Sequence, residues 1–190
     1  IYYAGHGASW ETDTYLVPVD ADLATPNVVK TLLPISSVQD AVRGATSRLL
    51  VFDSCRNNPA DGWRQEASER TARFNAEKQS ADTQENSLTL YSTAPGRVAL
   101  DGPAGQNSPF AAAFMRQLSG GSIDLLTMPS KLRRELLIST EGQQVLWDST
   151  TYKASQLLPG ATGKAGAPRS ASPNIDPARI IDLPRTYAFA

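Results

Sequence analysis

The sequence holds one histidine and one cysteine. His6 sits in YYAGHG (Tyr2–Gly7) and Cys55 in LLVFDSCRNNP (Leu49–Pro59), each where an apolar run gives way to small and polar residues. A thiol with a pKa of about 8.5 is mostly protonated at neutral pH, and an imidazole within reach activates it by taking its proton. Acyl transfer of this kind also needs donors for the oxyanion, usually backbone N–H groups beside the nucleophile. Gly7, with no side chain to obstruct its amide, and Cys55 itself are the candidates for those donors. Taken singly, a lone cysteine is more often a small hydrophobe and a lone histidine a satisfied polar residue. The joint placement, with Gly5 and Gly7 flanking the histidine, favours a working pair.

Such a pair needs elements that bring residues 6 and 55 together. IYYAG and SRLLVFDS are β-branched and aromatic runs of buried-strand length. YLVPVDADL reads as a short strand and turn. SSVQDAVRGA reads as a short amphipathic helix that starts on a capping serine and runs into Gly44. LTLYSTAPG gives a further strand. NSPFAAAFMRQLSGG carries a cap region and apolar residues at helical spacing, closed by glycines. MPSKLRRELLISTEG repeats that design with Pro129 near its start. QQVLW predicts a last short strand. Strands alternating with helices imply an α/β sheet covered on both faces, in which functional residues gather outside the carboxyl ends of the strands. His6 and Cys55 both lie at such ends.

Composition sets the outer bounds. The chain has 190 residues and a formal net charge of −1, enough length for one core and no charge argument for nucleic acid or anionic lipid. No apolar run approaches the roughly 18 residues of a membrane span. A single cysteine excludes an internal disulfide and any multi-cysteine metal site. GPAGQNSPF lacks phosphate-loop spacing and the lysine, which argues against nucleotide binding. The stretch 60–86 is charged and poor in aliphatics, a linker by composition, and residues 159–190 form a Pro/Gly/Ala/Ser-rich tail. Residues 1–158 are then one domain. Ile1 opens in mid-strand without an initiator methionine, so earlier strands are expected to be missing.

YYAGHG and FDSCRNNP, at their observed separation, resemble the histidine and cysteine boxes of the caspase, metacaspase and paracaspase clan of cysteine peptidases, most closely its bacterial metacaspase-like members. YSTAPG (Tyr91–Gly96) resembles the strand and turn that follow the inter-subunit linker of caspases. The resemblance spans about Ile1 to Pro159. It implies a three-layer αβα sandwich around a mostly parallel sheet, Cys55 as nucleophile, His6 as general base and acid, and the amides of Gly7 and Cys55 as the oxyanion hole.

It also bears on substrate. Caspases cleave after aspartate with a Gln two residues before the cysteine and an Arg five residues after the STAPG glycine; here those positions hold Asp53 and Asp101. Two carboxylates repel an acidic P1 side chain and attract Arg, whose planar fork can bond both oxygens, ahead of Lys. Ala4 is grouped with the same S1 pocket. As turn formers, Asp53 at a strand end and Asp101 in LDG have structural readings beside this one. Arg64, Arg70, Arg73 and Lys78 in the linker are candidate self-cleavage sites, or simply solvated charges.

Many metacaspases bind calcium. Here Asp13, Asp20 and Asp22 read more simply as turn residues, with Asp61 leaving a weaker site open. A hard cation wants about 6–8 oxygen ligands, so no metal or other cofactor is expected. Trp10 and Trp63 are candidates for a peptide groove, and Trp147 reads as core. The expected partner is a protein or peptide substrate, with no nucleic acid and no membrane span. The alternatives are a non-catalytic binding or signalling module of the same fold, and a peptidase with acidic P1 preference.

Overall fold

The computed structural model describes residues 1–10, 13–21, 28–57 and 85–158. Its centre is a four-stranded sheet in the order β1 (Tyr2–Ala4), β5 (Arg48–Asp53), β6 (Ser87–Tyr91), β8 (Trp147–Thr150). β1, β5 and β6 run parallel, and β8 closes one edge antiparallel to β6. A second, three-stranded sheet joins β2 (Gly7–Trp10), β3 (Asp13–Leu16) and β4 (Leu33–Pro34), and β7 (Ile123–Asp124) pairs with β9 (Leu157–Leu158).

The alternation of side chains along a strand builds two cores, one on each face of the central sheet. On β5, Val51 points into one and Leu50 and Phe52 into the other. The larger core takes Leu88 and Leu90 of β6 and the buried faces of α2 (Pro109–Ser119) and α3 (Met128–Ser139), through Phe110, Phe114, Leu132 and Leu136. The smaller core joins Phe52 and Tyr91 to Leu16 of β3 and to Ile35 of α1 (Ile35–Ala41). The layers are therefore helix, sheet, helix, the expected αβα sandwich around a mixed, mostly parallel sheet.

Local chemistry explains most boundaries. α2 starts where Ser108 caps it, its hydroxyl accepting from the Ala111 N–H at 2.9 Å, with Pro109 in the first turn. α1 departs from expectation. Its N-cap is Pro34, which makes no side-chain capping bond, and Ser36 and Ser37 lie inside the helix. Burial of Ile35 draws the chain into the helix before the serines, and the helix closes at Ala41 rather than running to Gly44.

The last strand of the central sheet is also displaced. QQVLW contributes only Trp147, because the Gln144 side chain is committed elsewhere: its Nε2 donates to Ser92 O and its Oε1 accepts from Leu100 N–H. Pairing with β6 begins at Trp147 opposite Tyr91, and Trp147 is half-buried against the smaller core. The β2–β3 hairpin and the β7–β9 pair are additions to the sequence reading. Among the described residues, no helix is long and apolar enough to cross a membrane. Most of the stretch 60–86, including Arg64, Arg70, Arg73 and Lys78, lies outside the described residues, as do Asp22, Asp61, Trp63 and the tail from 159.

Candidate active site

β1 and β5 are neighbours in parallel register, with Ala4 opposite Asp53, and the ladder continues one step as the Gly5 N–H donates to Asp53 O at 3.1 Å. His6 and Cys55 each stand two residues beyond that register pair. Matching strand ends thus deliver both to the carboxyl end of the sheet.

Gly7 makes the approach close. A Cβ at this position would fall 2.5 Å from the Cys55 carbonyl oxygen and 2.7 Å from Ser54 Oγ, so only glycine lets the histidine segment lie against the cysteine peptide. The His6 carbonyl is held from two sides, accepting from Tyr3 Oη at 2.8 Å and from the Val17 N–H at 3.0 Å. β2 then runs beside the cysteine loop, with the Ser9 N–H donating to Asn57 O at 2.8 Å and Ser9 Oγ donating to Arg56 O at 2.7 Å. His6 itself lies at the surface, and Cys55 is half-buried.

The Cys55 thiol points toward the segment after β6, donating to Ala99 O at 3.8 Å. Burial pushes its pKa above the ordinary thiol value; the Ala99 contact opposes this, and the charges of Asp101 and Asp53 add to it. Burial and the two carboxylates thus disfavour the thiolate.

The caspase-domain family model matches residues 1–156. This chain belongs to the caspase-domain family of peptidases. Among solved structures, caspase-1 from Spodoptera frugiperda is similar at 15% identity and a TM-score of 0.45, over 80% of this chain and 60% of that one. The chain therefore spans about three-fifths of that caspase's length. A comparison with curated proteins gave no match.

In this caspase domain the strand-end aspartate is buried at 7% exposure. Asp53 Oδ2 accepts from Ser108 Oγ at 2.5 Å and from Tyr2 Oη at 3.5 Å. Burial raises its pKa above the ordinary carboxylate value, Ser108 draws it back, and Asp101 pushes it up further. Asp101 is exposed, yet its charge reaches both Asp53 and Cys55, so all three lie at one end of the sheet. Ala4 is exposed beside them on β1. Tyr2, on the same strand face as Ala4, stacks its ring on Phe114 at 5.8 Å, and burial with the Asp53 charge pushes its phenol up to about 12.

Four neighbours went unnoticed in the sequence. Ser108 showed itself as a helix cap but gave no sign of its second bond, 55 residues back to Asp53. Tyr2 looked like an ordinary strand aromatic. Arg56 drew no reading of its own and Gln144 only a place in the expected last strand, and both are fully buried. Only the position of Arg56 directly after the cysteine could have flagged it. Among the described residues, no three His, Cys, Asp or Glu side chains group as a metal site; Asp13 and Asp20 are both exposed.

Proposed function

We propose that this caspase-domain protein is a cysteine endopeptidase that cleaves after Arg, and less readily Lys, with Cys55 as nucleophile and His6 as general base and acid. The observation that carries the reading is the fit of Gly7 against the Cys55 carbonyl, which puts the histidine and cysteine segments side by side at the strand ends.

In the reaction, Cys55 Sγ attacks the scissile carbonyl carbon while its proton passes to His6. The oxyanion that forms accepts from the backbone N–H groups of Gly7 and Cys55. The imidazolium then protonates the departing amine, leaving a thioester. Water, deprotonated by His6, attacks that thioester, and the thiol leaves with the proton returned. All groups this chemistry requires come from the chain, without metal or organic cofactor.

The P1 preference rests on Asp53 and Asp101. A buried carboxylate with a second one nearby offers a guanidinium two acceptors and repels an acidic side chain. An aspartate two residues before the cysteine is shared with metacaspases and paracaspases, and it supports placing the chain nearer to bacterial metacaspase-like members. The same preference would let the enzyme cut its own 60–86 segment after Arg64, Arg70, Arg73 or Lys78.

The test is hydrolysis of a fluorogenic peptide library varied at P1, using the full-length protein beside its Cys55→Ala variant. Cys55-dependent release after Arg and Lys is expected. Release after Asp would overturn the pocket assignment while keeping the nucleophile. Absence of any Cys55-dependent release, with calcium and after linker cleavage, would leave a binding module.

A further inference from the structure

The residue that follows the nucleophile is the most deeply buried cation of the described residues. Arg56 is fully buried, and among the described residues no carboxylate pairs with it. Its guanidinium lies 4.0 Å over the Tyr91 ring. One terminal nitrogen donates to Thr93 O and the other to Thr14 Oγ1, both at 3.4 Å, and Nε has no hydrogen-bond partner. Burial pulls its pKa down to about 10, so it remains charged at neutral pH. A cation kept in that setting costs stability that a hydrophobic side chain of similar length would not.

The Arg56 backbone is as heavily engaged as its side chain. Its N–H donates to Arg97 O at 2.9 Å, and its carbonyl accepts from the Gly96 N–H at 2.8 Å and from Ser9 Oγ at 2.7 Å. One residue therefore touches the β2–β3 hairpin beside His6, through Ser9 and Thr14, and the end of β6 with its following turn, through Tyr91, Thr93, Gly96 and Arg97. That turn leads into Ala99, which receives the thiol. The fork shape of arginine serves this role, since a planar guanidinium can stack on a ring and donate in two directions, as an ammonium cannot. The charges of Asp101 and Asp53 push the Cys55 thiol up.

We infer that Arg56 is a positioning residue, locking the histidine hairpin, the cysteine loop and the turn after β6 into one geometry. The inference deepens the cysteine-peptidase reading and rests on it for the rate effect. A misplacement of about 1 Å in such a site costs roughly 10²-fold in rate.

The experiment compares full-length wild type, Arg56→Met and Arg56→Lys. Four quantities are read: melting temperature, kcat and KM on a P1-Arg peptide, the maleimide labelling rate of Cys55, and the pH midpoint of its alkylation. Arg56→Met should melt at or above the wild-type temperature, because a buried charge is gone. Its kcat should fall roughly 10²-fold with KM little changed. Its Cys55 should label about fivefold faster as the turn over the thiol loosens, with an unmoved alkylation midpoint. Arg56→Lys should fall between the two. Wild-type kcat and labelling in Arg56→Met would overturn the inference, as would a shifted midpoint with unchanged labelling, which marks an electrostatic role. If Arg56→Met fails to fold, the same criteria apply to Arg56→Lys. If wild type shows no Cys55-dependent turnover, the peptidase reading fails separately, and the labelling rates alone decide whether Arg56 locks the loop.

Discussion

Replacing Asp53 by asparagine removes one charge and keeps the shape, and the consequences for selectivity and for stability have different signs. The amide oxygen of the new side chain can still accept from Ser108 Oγ, so the 2.5 Å bond that ties the strand end to the α2 cap has a neutral counterpart. What the proposed pocket loses is the attraction between a P1 guanidinium and a buried carboxylate. Two unit charges about 4 Å apart interact by about 4 kcal/mol at an effective dielectric constant of 20. Part of this is recovered by the hydrogen bond that a neutral amide still offers, and the exposed Asp101 supplies a screened remainder. A net loss of about 2–3 kcal/mol remains, or roughly 30- to 150-fold in kcat/KM.

The assay pairs a P1-Arg peptide with its citrulline analogue, which has the same length and no charge. Asp53→Asn should lose that factor on the Arg peptide and stay within about threefold on the citrulline one. An equal loss on both substrates would mean that Asp53 orients the catalytic groups and does not read P1. An unchanged Arg rate would remove Asp53 from the pocket altogether.

Stability moves the other way. The folded-state pKa of Asp53 is raised above the ordinary value of 3.8, so its favourable contribution is complete below the unfolded pKa. That contribution is lost as pH rises through the folded pKa. At neutral pH the wild type carries the cost of a buried charge, and Asp53→Asn should melt no lower there, with the difference between the two proteins shrinking on acidification. Activity on P1-Arg peptides should fall on acidification at a pH above the ordinary carboxylate range, as Asp53 protonates.

Gly7→Ala should reduce kcat by roughly 10²-fold or more, because its Cβ would meet the Cys55 carbonyl oxygen at 2.5 Å and displace the nucleophile's own peptide; turnover measured against a melting curve separates this from simple unfolding. Gln144→Leu should cost about 2–4 kcal/mol in denaturant unfolding, since it strands the Ser92 carbonyl and the Leu100 N–H in a buried site. Agmatine, a guanidinium without a scissile bond, should lower the pH midpoint of Cys55 alkylation, and Asp101→Asn should lower it without ligand; unmoved midpoints in both would refute the charge coupling between pocket and thiol.

Elements whose evidence is local were legible in the sequence. RLLVFD is apolar on both faces and becomes the central strand β5, and Ser108–Pro109 mark the start of α2. That the segments carrying His6 and Cys55 run to the same end of the sheet was legible for a related reason, since parallel strands of matched register must end together. What stayed hidden depends on partners far along the chain. GASW carries no strong strand pattern and DTYL only overlaps the short strand expected from Tyr15, and their hairpin is fixed by contacts to the cysteine loop at Asn57 and Arg56. Gln144 leaves its expected strand because two backbone groups, 44 and 52 residues away, claim its amide. Arg56 is hidden for the same cause: a charge beside a cysteine looks like surface until Tyr91 and Thr14 close over it.

The electrostatics of the site contain an opposition that bears on the proposed mechanism. Asp53 and Asp101 are suited to draw in a cation, yet both penalise a thiolate at Cys55, and burial penalises it further. A preformed thiolate is thus disfavoured in the empty site, and in the mechanism proposed above proton transfer to His6 would accompany attack on the carbonyl. A P1 guanidinium changes the balance, because it neutralises the carboxylates that oppose the thiolate. The thiol contact to Ala99 must also give way, since an attacking sulfur cannot keep its proton on that carbonyl. A cationic P1 residue then does two things with one charge: it fills the pocket, and it lowers the cost of ionising the nucleophile. Discrimination would appear in kcat as well as in KM, and an uncharged P1 residue of equal size would bind into a site whose thiol stays protonated.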